Sequence, residues 1–87
     1  PPRAIEYVAM VFGMGSQKYA DRNWEKGYKW GLSYAALQRH LHAFWGREWS
    51  DHESGLPHLA HAAWHCLVLL TFAEGDRYQE LDDRSPK

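Results

Sequence analysis

Apolar residues recur at helical spacing along three stretches of this chain, with polar or glycine-containing segments between them. Over residues 3–14 the spacing is i, i+3, i+4 and i+7, and it is carried by Ile5, Val8, Ala9 and Phe12. This pattern predicts an amphipathic first helix. Gly13 and Gly15 follow the last apolar position, and we expect them to end the helix.

Two further helices follow from the same reasoning. Residues 34–45 carry an apolar stripe that stops at Gly46, and Ser33 is a suitable N-cap for this second helix. Pro57 fits the first turn of a third helix that runs to about Ala73. Since the third helix is apolar on almost every face, we expect it at the centre of a bundle or at a subunit interface.

The segments between the helices are polar. Residues 16–31 mix charged, amide and aromatic side chains without an apolar period, which predicts a long functional loop. Residues 76–87 form a polar tail that we expect to hold one short helical turn or to be frayed. With no strand-like alternation in the sequence, the predicted fold is all-α: one domain over residues 1–87, a small bundle of three main helices completed by oligomerisation.

Charge and cysteine content exclude several classes of protein. The 87 residues carry 10 Lys and Arg against 11 Asp and Glu, so bulk charge attracts the chain neither to nucleic acid nor to a membrane. Basic residues form no long stripe, and direct DNA binding is not expected. A single cysteine excludes an intramolecular disulfide framework. The N-terminus lacks a signal pattern and no apolar run approaches the roughly 20 residues of a membrane span, so we expect a cytoplasmic protein without a membrane partner.

Histidine is the residue type that points to chemistry, with 6 in the chain. His58 and His61 share one face of the third helix, and antiparallel packing of the second and third helices would bring His40 close to them. The preceding loop adds Asp51 and Glu53. Imidazoles and carboxylates that converge from two helices and a loop suit a divalent metal or a phosphate. The alternative is that each histidine is a core or surface residue with an ordinary hydrogen bond, as we expect first for His42, His52 and His65.

The predicted loop carries a second set of candidates. Lys18 and Lys26 could contact phosphates, Asn23 could hydrogen-bond a base edge, and Tyr19 or Trp24 could stack on a base. The alternative is that the rings fill a small core and the lysines are solvated. The phosphate-binding and zinc-protease patterns GxxxxGK[ST], GxGxxG and HExxH are missing from the sequence.

Four segments resemble the phage-borne family of the N-terminal domain of dATP/dGTP diphosphohydrolases: Gly15–Tyr19, Arg22–Gly27, Arg39–Ala43 and Asp51–His61. The resemblance covers residues 5 to about 72. It implies hydrolysis of purine deoxynucleoside triphosphates to the monophosphate and pyrophosphate, in the host cytoplasm. The third helix is also similar to that of the all-α nucleoside triphosphate pyrophosphohydrolases, in which ExxD precedes an apolar run. Here His58-x-x-His61 fills that spacing, and their paired ExxE has no counterpart on the second helix.

The function we predict from these observations is metal-dependent phosphohydrolysis by a self-associating domain that binds a purine nucleotide. The metal ligands would be His40, Asp51, His58 and His61, with Asp51 and Glu53 as the catalytic carboxylates and Glu53 as general base. Phosphates would be neutralised by Lys18, Lys26 and Arg39, and the base or sugar would be held by Tyr19, Asn23 and Trp24. Candidate metals are manganese, magnesium, zinc and cobalt, of which magnesium prefers oxygen ligands.

Two alternatives remain open at this stage. The first is a non-enzymatic binder that uses the same site to sequester a host nucleotide signal. The second is a structural oligomerisation module whose histidine and tryptophan side chains only pack.

Overall fold

The computed structural model describes residues 1–18 and 23–86. It contains three α-helices, α1 (Pro2–Lys18), α2 (Trp30–Trp45) and α3 (His58–Ala73), and two 3-10 turns, Asn23–Lys26 and Gln79–Leu81. Within these residues no β-strand is found, and extended pairing is limited to a bridge between Ser50 and Pro57. The prediction of an all-α fold with three main helices is confirmed.

Helix α3 lies between the other two helices and packs against both of them. Helix α2 is antiparallel to it, since Ser33 contacts His65 and His40 contacts His58. The buried core consists of Trp30, Val68, Phe72 and Tyr78. Because Val68 and Phe72 belong to the last two turns of α3, the core occupies that end of the helix, and the histidines occupy the other.

The predicted end of α1 is wrong. The helix continues through Gly13 and Gly15 to Lys18. A glycine inside a helix costs about 1 kcal/mol relative to alanine. Val11 and Phe12 pack α1 onto the rest of the molecule, with the Phe12 ring 5.7 Å from that of Trp64. This packing outweighs the unfavourable propensity of the glycines.

The predicted start of α2 is also wrong. The helix begins at Trp30, and Ser33 is a fully buried residue inside it rather than its N-cap. The N–H of Gly31, in the first turn, has no acceptor within the helix and donates instead to Asp83 Oδ1 at 2.8 Å. The predicted loop over residues 16–31 is therefore not confirmed. Residues 16–18 belong to α1, residues 23–26 form a 3-10 turn and residues 30–31 belong to α2, while residues 19–22 lie outside the described residues.

Of the two alternatives for the tail, the structure shows the short helical turn, Gln79–Leu81. Tyr78 is buried beside it, and its hydroxyl donates to the carbonyl of Glu25 at 2.6 Å. Gly27, with φ +87°, lies so close to this segment that an added Cβ would stand 2.7 Å from Leu81 Cδ1. Only glycine satisfies both the backbone angle and the close approach.

Across residues 1–18 and 23–86, none of the helices combines the length and the apolarity needed to cross a membrane.

Candidate metal centre

The loop between α2 and α3 is folded back on itself by backbone hydrogen bonds. The N–H of Asp51 donates to the carbonyl of Leu56, and the N–H of His58 donates to the carbonyl of Trp49, both at 2.9 Å. Gly55, with φ +73°, closes the turn by donating to the carbonyl of Asp51 at 2.8 Å. The left-handed conformation is free of strain for glycine. The loop is thus fixed against the first turn of α3.

Two histidines and an aspartate converge where α2, this loop and α3 meet. His40 Nδ1 and His58 Nδ1 are 2.8 Å apart. One ligand atom from each of His40, Asp51 and His58 lies within 4.8 Å of the other two. Two ring nitrogens at such a distance share a proton or bind one cation. A donor set of two imidazoles and a carboxylate fits manganese, iron, cobalt or zinc better than magnesium.

His61, predicted as a fourth ligand, lies beside this triad. Its ring stacks on that of His40 with the centroids 4.7 Å apart and the planes 10° from parallel. Its Nε2 is 2.7 Å from Ser54 Oγ, and the N–H of Ser54 donates to Asp51 Oδ2 at 2.9 Å. The loop that carries Asp51 therefore also holds His61, whose role as a direct ligand stays a prediction.

Glu48 contacts the centre, although sequence reasoning did not single it out. Its Oε1 accepts a hydrogen bond from Nε2 of the buried His58 at 2.7 Å, and it lies 3.7 Å from Nε2 of the exposed His52. No periodic pattern marks Glu48, which is one of several charged residues between the helices. The geometry of the chain could have indicated this contact, because a short connection between the antiparallel helices α2 and α3 places its side chains next to the first turn of α3.

The contact with Glu48 decides where His58 carries its proton. A carboxylate accepts but does not donate, so Nε2 of His58 must be the protonated nitrogen. In the neutral ring, Nδ1 then keeps its lone pair and points it towards His40. A histidine whose far nitrogen donates to a carboxylate is the usual arrangement of a metal ligand with its outer partner.

His40 and His61 are neutral at pH 7. Burial lowers the pKa of His40, and the nearby His61 and His58 lower it further. Burial also lowers the pKa of His61. Neutral imidazole is the form that binds a metal.

Asp51 is ionised at pH 7. Burial, the largest influence, raises its pKa, but hydrogen bonds from the backbone and side chain of Ser54, together with His61 and His40, outweigh burial and lower the pKa below its ordinary value.

Two hydrogen bonds and a ring contact join the core to the centre. The hydroxyls of Tyr28 and Ser33 are 2.6 Å apart, and Ser33 Oγ is 2.9 Å from His65 Nδ1. The ring of His65 stacks on His40 with the centroids 6.0 Å apart. Burial, followed by the nearby His40, lowers the pKa of His65 to about 4. His65 is thus a neutral packing partner of His40.

The other predicted site residues, which are the nucleotide contacts and the general base Glu53, fall into two groups. Arg39 is exposed on α2 next to His40, and its charge acts on that ring. Glu53 is exposed on the loop and acts electrostatically on His61.

The second group lies at the other end of α3. The rings of Phe12 and Phe72 lie 6.1 and 6.3 Å from that of Trp24, which belongs to the same 3-10 turn as Asn23 and Lys26. Phe72 is 14 residues after His58 on α3, a distance of about 21 Å at a rise of about 1.5 Å per residue. Lys18 is the last residue of α1, and Tyr19 lies outside the described residues. The fold therefore does not bring the turn that contains Asn23, Trp24 and Lys26 to the histidine cluster.

Comparison with known proteins gives two matches. A family model described as dATP/dGTP diphosphohydrolase, N-terminal, matches residues 1–84. A curated protein from Salmonella phage PMBT28, named dATP/dGTP diphosphohydrolase, is 42% identical over 62 residues. That match covers 71% of this chain but 21% of the relative, so the chain spans about a fifth of the relative's length. No solved structure matches the chain.

Proposed function

The chain belongs to the dATP/dGTP diphosphohydrolase N-terminal family, and we propose on that premise that it contributes a metal centre to the hydrolysis of purine deoxynucleoside triphosphates. The products would be the deoxynucleoside monophosphate and pyrophosphate. The name of the phage relative supports this choice of substrate. Because that relative is a phage protein, the activity would act on nucleotides in the cytoplasm of the host.

The observation that carries the proposal is the convergence of His40, Asp51 and His58. Their ligand atoms lie within 4.8 Å of one another. The His40 ring is neutral and the Asp51 carboxylate is ionised, as ligation of a divalent metal requires. The contact of His58 Nε2 with Glu48 leaves His58 Nδ1 facing His40. His61 would complete the set from its stacked position on His40.

The residues around the centre would have separate roles in the hydrolysis. A divalent metal held there would polarise a phosphoryl oxygen and lower the pKa of a water molecule. Glu53 would accept a proton from the water that attacks the α-phosphorus, while the bond from that phosphorus to the bridging oxygen breaks and pyrophosphate leaves. Arg39, exposed beside His40, would neutralise charge on the phosphates.

Self-association belongs to the same proposal. Leu59, Leu67 and Leu70 are exposed on α3, the last of them 66% exposed. A single helical stripe of this kind is what a second copy would cover in a dimer with a two-fold axis.

The test combines metal analysis with product analysis. Protein reconstituted with manganese is incubated with dATP or dGTP, and we expect equal amounts of monophosphate and pyrophosphate. His58→Ala should lose both bound metal and hydrolysis. His42→Ala, which changes an exposed histidine of the same α2–α3 unit, is the matched control and should keep both.

Two results would contradict the proposal. Hydrolysis that survives complete removal of metal would remove the metal from the reaction. Tight binding of the triphosphate without turnover in the metal-loaded protein would instead favour the sequestering binder.

A further inference from the structure

An open cleft of about 540 Å³ lies at the end of α2 and is lined by Phe44, Trp45, Arg47, Glu48 and Trp49. Its size is within the range of about 300–1,000 Å³ found for small-molecule sites. Two of its walls are large rings left in solvent: Trp45 is 84% exposed and Trp49 is 58% exposed. Trp24, Trp30 and Trp64, by contrast, pack in or against the core. Arg47 lies between these two tryptophans in the sequence. Exposed tryptophan rings with a positive charge nearby favour the binding of a ligand.

The cleft is rigidly built at its base. Arg47 has φ +71°, the left-handed conformation that a residue with a side chain rarely adopts. Three consecutive N–H groups hold it there: those of Gly46, Arg47 and Glu48 donate to carbonyls of α2 at 3.0 Å each. Side chains that follow the end of α2 are therefore presented from a fixed backbone, and little ordering is needed when a ligand binds.

Two hydrogen bonds join the cleft to the metal centre. Glu48 lines the cleft and accepts from His58 Nε2 at 2.7 Å. The carbonyl of Trp49, which also lines the cleft, accepts from the backbone N–H of the same His58 at 2.9 Å. A ligand that fills the cleft therefore lies directly beside the residues that would hold the metal. This continuity favours an occupant with an aromatic part that packs on the exposed rings and an anionic part that reaches the metal centre.

We propose that this cleft binds the purine base of the substrate nucleotide, with the base against Trp45 and Trp49 and the phosphates directed to the metal centre. The positive charge of Arg47 complements the triphosphate. The inference rests on the proposed function and adds its recognition element, which lies on the α2–α3 loop rather than in the 3-10 turn that contains Trp24. Stacking on the two rings is tolerant of base identity, so dATP and dGTP are both accommodated.

The test separates base binding from phosphate binding. Protein loaded with manganese is titrated with the α,β-methylene analogue of dATP, which resists hydrolysis at that bond, and with inorganic tripolyphosphate. Trp45→Ala and Trp49→Ala should each weaken binding of the nucleotide about 5- to 150-fold, while affinity for tripolyphosphate and metal content stay unchanged. Trp49→Phe, which keeps a stacking face, should restore most of the loss. Tyr34→Ala removes a ring that is also 58% exposed on α2 but does not line the cleft, and it should have no effect.

Each other outcome overturns the inference in a distinguishable way. Variants that bind the nucleotide as tightly as the parent show that the rings do not hold the base. Equal loss of nucleotide and tripolyphosphate shows a structural effect of the substitutions. Dissociation of a dimer with unchanged nucleotide affinity shows that a second copy covers the rings. A parent that binds neither ligand overturns the proposed function together with this inference.

Discussion

Removing the carboxylate of Glu48 is the sharpest test of how the metal centre is organised. In Glu48→Ala, Nε2 of the buried His58 loses the acceptor that lies 2.7 Å away. The proton is then no longer fixed on Nε2, and the ring populates the other tautomer, in which Nδ1 carries the proton and cannot bind a metal. Glu48→Gln is the graded variant, because its amide oxygen still accepts while the negative charge is lost.

The size of the effect follows from the exposure of the pair. Loss of an outer partner of a ligating histidine lowers metal affinity about 10- to 100-fold. The side chain of Glu48 is 44% exposed and that of His58 is 7% exposed, so water partly replaces the carboxylate. We therefore expect Glu48→Ala to lower the metal affinity about 10-fold, near the lower end of this range, and Glu48→Gln to lower it less.

Two measurements check this expectation. Competition titration with a chelating indicator gives the manganese affinity of each variant. Nitrogen-15 NMR of the metal-free protein reports which ring nitrogen of His58 is protonated, a signature that a general loss of stability does not produce. Glu80→Ala, in the C-terminal 3-10 turn, is the control. A Glu48→Ala variant that keeps the parent's affinity, with His58 still protonated at Nε2, would refute the reasoning.

Three further predictions rest on other parts of the structure. The folded-state pKa of His65 is about 4, below its ordinary 6.5, so its contribution to stability is complete above pH 6.5 and is lost as the pH falls towards 4. Thermal melts of the metal-free protein should show a melting temperature that falls as the pH is lowered from 6.5 towards 4, and His65→Gln should reduce this pH dependence. Leu67→Glu and Leu70→Glu should convert a dimer into monomers in light scattering, whereas a parent that is already monomeric at micromolar concentration would contradict the dimer. Trp24→Ala should cost about 2 kcal/mol of stability, about half the penalty of a fully buried tryptophan; an unchanged melting temperature with weakened nucleotide binding would instead support a nucleotide contact at Trp24.

Periodicity predicted the parts of this molecule that depend on local spacing. The number of helices and the antiparallel packing of α2 and α3 follow from apolar stripes and a short connection. The same two facts place His40 near His58, so most of the histidine cluster could be predicted. The short connection predicts charged side chains near the first turn of α3, but nothing in a run of charged loop residues distinguishes Glu48 as the one that meets the buried ring of His58.

Helix boundaries depended on contacts that are distant in sequence. Ser33 has the chemistry of an N-cap, yet its hydroxyl is used between Tyr28 and His65 on another helix. Glycine at position 13 reads as a helix end, yet packing of the neighbouring Phe12 keeps α1 intact. In each case tertiary contacts outweigh local preferences of about 1 kcal/mol.

The hydrogen bond from Gly31 to Asp83 has a consequence for the order in which the chain folds. The two residues are 52 positions apart, and synthesis at about 5–20 residues per second separates their appearance by about 3–10 s. During that interval the first turn of α2 has no acceptor from the C-terminal segment, although the α2–α3 hairpin that carries the histidines can already form. We therefore expect the amides at the start of α2 to gain protection from hydrogen exchange last, after those of the hairpin.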